Sequence, residues 1–76
     1  MNSDPASFPN WELAPSTHSW CAQDENGDWY WYSVEPQPSI GGGVWRSNSR
    51  HQQFAQHGTP NPDWMHSLQL RPSTVT

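Results

Sequence analysis

Four consecutive aromatic residues, Trp29-Tyr30-Trp31-Tyr32, follow an Asn26-Gly27 turn and a single aspartate. Aromatic residues favour strands, and strand side chains alternate between two faces, so both faces of this strand are aromatic. Asn-Gly is the strongest short hairpin signal, because both residues tolerate positive φ. The run from His18 to Gln23 supplies the partner strand. Two registers are open. A two-residue loop leaves Trp20 opposite Ser33, whereas a three-residue loop with Gly27 as the bulge sets Trp20 opposite Tyr32 and Ala22 opposite Tyr30. The second is preferred, because it gathers Trp20, Ala22, Tyr30, Tyr32 and Val34 on one face as a core. The other face carries Cys21, Trp29 and Trp31. It is either covered, with Trp11 and Trp64 as available lids, or exposed as a docking surface.

The flanking sequence limits what can join this hairpin. Prolines punctuate the chain and leave little room for long helices. Residues 35–43, Glu-Pro-Gln-Pro-Ser-Ile-Gly-Gly-Gly, read as a flexible loop. Val44-Trp45-Arg46 reads as a short third strand, and residues 47–58 are polar and ambiguous. Asn61-Pro62-Asp63 is a helix start, with Trp64 and Leu68 one turn apart and Pro72 as the stop. Phe8-Pro9-Asn10-Trp11 and Asn61-Pro62-Asp63-Trp64 both place Trp two residues after Pro, which similar turn chemistry explains without an internal repeat. The expected fold is mainly β: a small three-stranded antiparallel meander (about 17–24, 28–34 and 43–47) with one short C-terminal helix near 62–69. Residues 1–10 and 73–76 read as flexible tails around a single domain spanning 11–72.

Composition agrees with a small indole-built core. In 76 residues, Leu, Ile, Val and Phe together number nine and Trp numbers six, a length that allows one domain. The formal net charge is −4, and the bases are three arginines with no lysine. That balance argues against direct nucleic-acid binding and against an anionic membrane surface, both of which need a basic face. No apolar run approaches a membrane span, and the first residues lack a signal pattern. One cysteine, Cys21, cannot form an internal disulfide, which points to a cytosolic chain.

Motifs that carry chemistry are few. His18-x-x-Cys21 has a ligand-like spacing, with His51, His57 and His66 elsewhere, but residues three apart in a strand face opposite ways and cannot chelate together. No metal and no cofactor is expected. Nothing supplies a nucleophile elbow or an oxyanion hole, so no enzymatic activity is expected. Asp24, Glu25 and Asp28 cluster at the hairpin tip. Turn chemistry favours such residues, and they would also serve as an acidic knob for a basic partner surface.

In outline, the meander resembles a proline-recognising WW domain, but the spacing differs and the chain continues well beyond it. A closer likeness rests on Ala14-Pro15, His18, Trp20, Asp24, Gly27, Trp29-Tyr30-Trp31-Tyr32, Trp45, Asp63-Trp64, Ser67-Leu68 and Arg71-Pro72. This string resembles a family of small Trp-rich tailed-phage proteins over about residues 11–72. In size and character the chain is also similar to RNA-polymerase-binding transcription regulators of xanthomonad phages. These resemblances imply a monomeric host-takeover protein in the cytoplasm of an infected bacterium. It would bind a host protein, with RNA polymerase as the expected target, and redirect transcription by occlusion. The expected contacts are Asp24, Glu25 and Asp28 with Trp29 and Trp31 beside them, and Arg46 and Arg50 as secondary contacts. The alternative is a carbohydrate-binding module that stacks sugar rings on exposed Trp29, Trp31 and Trp45.

Overall fold

The computed structural model describes residues 9–48 and 50–72. Of the tails expected at 1–10 and 73–76, residues 1–8 and 73–76 lie outside the described residues. Six short strands form in chain order: β1 (Trp20–Gln23), β2 (Trp29–Tyr32), β3 (Gln37–Ser39), β4 (Val44–Arg46), β5 (Gln53–Gln56) and β6 (Gln69–Leu70). They make a four-stranded antiparallel sheet of order β5-β2-β1-β6 and a separate two-stranded ribbon, β3-β4. The β1-β2 hairpin takes the bulged register, with Trp20 opposite Tyr32 and Ala22 opposite Tyr30. Gly27 holds φ at 102°, as that turn requires.

Both faces of the central β1-β2 hairpin are covered. On one face Ala22, Tyr32, Trp45 and Trp64 form a cluster flanked by Trp20, Tyr30 and Leu68. On the other, Cys21, Trp29 and Trp31 are flanked by Trp11, Ala14 and Ala55. Trp11 and Trp64 thus act as lids on opposite faces. The Trp11 ring lies 4.9 Å from that of Trp31, and Trp64 meets Trp45 edge-on at 5.9 Å. Each lid opens a 3₁₀ turn, Trp11–Leu13 or Trp64–His66. Asn10 and Asn61 steady these turns by accepting the N–H two residues on, at 2.9 Å from Glu12 and 2.8 Å from Asp63. Arg71 clamps the first lid, with its guanidinium 5.4 Å from the Trp11 ring and bonded to the Pro15 carbonyl at 3.0 Å.

Four expectations are corrected. First, Val44–Arg46 does not extend the meander beside β2. The Gly41-Gly42-Gly43 segment turns the chain back so that β4 pairs with Gln37–Ser39, within the stretch expected to be loop. Proline is tolerated in such a ribbon because only one side of β3 is hydrogen-bonded. The strand beside β2 is instead β5, from the polar segment of uncertain structure. Second, the expected helix near 62–69 is a single 3₁₀ turn. The Ser67 hydroxyl donates to the Trp64 carbonyl at 2.6 Å and accepts the Gln23 N–H at 2.8 Å, which ties the chain to β1 and feeds it into β6. Third, Val34 is 46% exposed, because the chain leaves the sheet after Tyr32. Fourth, Pro9 is buried and Asn10 caps a turn, so neither belongs to a free tail.

Candidate docking cleft

The hairpin tip organises the surface around it. Asp24 N–H donates to the Asp28 carbonyl and Gly27 N–H to the Asp24 carbonyl, each at 2.9 Å. The turn is then gripped from two sides. Glu25 N–H donates to the Gly43 carbonyl at 2.8 Å, and Asn61 N–H donates to the Glu25 carbonyl at 3.0 Å. A Cβ on Gly27 would lie 2.3 Å from the Gly58 carbonyl oxygen, so the 57–60 loop rests directly on this glycine. Gln23 joins these parts. Its amide donates to the Gly27 carbonyl at 2.9 Å and the Thr59 carbonyl at 3.2 Å, and accepts from Asn61 at 3.0 Å. Its own carbonyl accepts the Trp45 indole N–H at 2.9 Å.

The acidic knob expected from sequence is therefore taken apart. Asp24 is only 7% exposed. Its Oδ1 accepts the backbone N–H of Trp45 at 3.0 Å, which docks β4 against the hairpin. Asp28 pairs with His57 Nδ1 at 2.8 Å, and Glu25 alone of the three is an exposed acid. Burial pushes the Asp24 carboxyl above its ordinary range. The Trp45 N–H opposes this shift, and the neighbouring Asp28 charge adds to it.

Asp24 forms part of the floor of an open cleft of about 380 Å³ between the β3-β4 ribbon and the β2-β5 side of the sheet. Tyr30 and Trp45 line it, with Arg46 and Gln52 at the exposed rim. Among the described residues, Asp24 Oδ2, the Tyr30 hydroxyl, the Arg46 guanidinium and the Gln52 amide have no hydrogen-bond partner. Burial raises the Tyr30 phenol, and the charges of Asp24 and then Asp28 raise it further. Beside the cleft, Phe54 is 44% exposed and lies edge-on to Tyr30 at 5.5 Å. The His57 ring lies 4.8 Å beyond Phe54, so an aromatic strip runs from the cleft back to the tip.

Of the residues expected to bind a partner, the cleft brings together Asp24 and Arg46. Arg50 is exposed but does not line it. Trp29 and Trp31 are each only 3% exposed and serve as core, because Trp11 and Ala55 cover them. Trp45 is 5% exposed, so the stacking platform needed by the carbohydrate alternative is also buried. Tyr30, Gln52 and Phe54 are surface groups that local sequence pattern does not mark. The alternation that sends Tyr30 to one face was visible, but its partial exposure depends on β5 pairing beside it.

Fold and cleft together define a small all-β domain with an indole core and a polar surface cleft beside an aromatic strip. No protein family, curated protein or solved structure matches the chain. Among the described residues no helix is long and apolar enough to cross a membrane.

Proposed function

We propose that this chain is a non-enzymatic binding protein that acts by docking the cleft and its aromatic strip on another protein. The observation that carries this reading is the set of unpartnered polar groups, Asp24 Oδ2, the Tyr30 hydroxyl, Arg46 and Gln52, converging on one cleft beside exposed Phe54. Polar groups left open around aromatic anchors are what a protein interface uses to fix orientation, with the rings supplying most of the hold. The net charge of −4 favours a basic partner surface, and it steers association more than it adds affinity.

The partner proposed is host RNA polymerase, in the cytoplasm of a phage-infected bacterium. This rests on the resemblance to small tailed-phage proteins and xanthomonad-phage regulators, with the chain as a monomer that occludes a basic surface needed by sigma factor, promoter or nascent RNA. The test is gel filtration of the purified chain with host core polymerase, followed by promoter-dependent transcription in vitro. Co-migration and reduced transcript support the reading. The absence of a complex at micromolar concentration and low salt removes polymerase as the partner.

A further inference from the structure

The cleft also carries information about what enters it. Asp24 is more than nine-tenths buried and lines an open cavity, with one carboxylate oxygen committed to Trp45 N–H and the other without a partner. That second oxygen opens onto the cleft, where an incoming donor can replace water. No arginine or lysine of this chain supplies it. Arg46 lines the same cleft, yet forms no ion pair with Asp24 among the described residues.

The chemistry of the lining narrows the occupant. An anion is disfavoured by the Asp24 carboxylate at the floor. A metal ion would find one carboxylate and no second His, Cys, Asp or Glu among the cleft residues. A sugar would find no exposed indole. A cation meets the Asp24 charge and the Tyr30 ring at the wall. Tyr30 favours a flat cation over a spherical one, because guanidinium stacks on an aromatic face while it donates to a carboxylate. Arg46 and Gln52 at the rim suit a main-chain carbonyl next to the inserted side chain.

We propose that this cleft is a socket for an arginine side chain presented by the partner protein, its guanidinium donating to the free oxygen of Asp24 beside the Tyr30 ring. The inference rests on the docking reading above and names the partner chemistry of that same site. Binding falls on acidification, as Asp24 takes up its proton and loses its attraction for the cation.

The test is an NMR titration of the full isotope-labelled chain with the peptide acetyl-Gly-Gly-Arg-Gly-Gly-amide. Matched peptides carry citrulline or lysine in place of the arginine. The socket predicts saturable shifts at the Trp45 backbone amide and the Gln52 side-chain amide. Affinity should be about tenfold or more weaker for citrulline, which keeps the shape and loses the charge. Asp24→Asn should weaken arginine-peptide binding by a similar factor while its spectrum stays folded, and the citrulline comparison needs no variant at all. Equal affinity for citrulline, an unmoved Trp45 amide, or unchanged binding by Asp24→Asn would overturn the socket. Lysine binding as tightly as arginine would overturn the guanidinium assignment. The titration contains no polymerase, so its failure leaves a co-migrating polymerase complex standing, and loss of that complex leaves a positive titration standing.

Discussion

The Asp24 carboxylate accepts the backbone N–H of Trp45 at 3.0 Å across the boundary between the two sheets. This bond pins the β3-β4 ribbon to the hairpin, with help from the Trp45 indole bond to the Gln23 carbonyl at 2.9 Å. It also places a buried acid at the floor of the cleft, so one residue serves the fold and the proposed site.

Asp24 therefore makes a separable prediction. Asp24→Ala leaves the buried Trp45 N–H without an acceptor and should destabilise the chain by about 1–3 kcal/mol. Asp24→Asn keeps a carbonyl acceptor and removes the charge, so at neutral pH it should match or exceed the parent in stability. The folded-state pKa of Asp24 is raised, so the folded form binds its proton more tightly than the unfolded form does. The stability that this proton confers is full below the ordinary value of 3.8 and is lost as pH rises through the shifted value. The difference in stability between Asp24→Asn and parent should therefore grow over that rise and level off above it. Urea melts across the acid range, monitored by Trp fluorescence, check both sign and window.

Gly27 is tested by adding one carbon. Its φ of 102° is a conformation that side chains resist, and a Cβ would lie 2.3 Å from the Gly58 carbonyl oxygen. Gly27→Ala should cost about 2 kcal/mol or more, since backbone strain and a backbone clash act together. A melt within error of the parent would show that the 57–60 loop does not rest on the turn.

Cys21 reports on the lid formed by Trp11. It is fully buried between Trp29 and Trp31, and burial pushes its thiol up to about 12. The native chain should be inert to a thiol reagent at neutral pH and react stoichiometrically in denaturant. Fast labelling of the folded chain would mean that this face of the sheet is open, as the docking reading from sequence had it.

The hairpin was legible because its determinants are local. Asn26-Gly27 and the aromatic alternation lie within a dozen residues, and together they select the register that puts Trp20 opposite Tyr32. Strands β5 and β6 were not legible. Gln53–Gln56 and Gln69–Leu70 are short and polar, and they become strands only because β2 and β1 offer free edges to them. Strand β4 was legible in Val44-Trp45-Arg46, whereas its partner β3 was hidden by Pro38 and the run of glycines. The site suffered from the same non-locality. Asp24 looked like a solvated turn residue, and its burial depends on Trp45, which lies twenty-one positions further on. For Trp29 and Trp31 the sequence left cover and exposure open; the 3₁₀ turn that opens with Trp11 settles it as cover, while Trp64 goes to the other face.

The central claim is that the cleft and the Tyr30–Phe54–His57 strip form the face that meets the partner. Hydrogen exchange of the chain, read by mass spectrometry with and without host core polymerase, tests it most directly. The account predicts slowed exchange confined to residues 44–47 and 52–57, with β6 and the Trp11–Leu13 turn unchanged. Protection centred on β6 or the Trp11–Leu13 turn, or no protection in a complex that demonstrably forms, would contradict it.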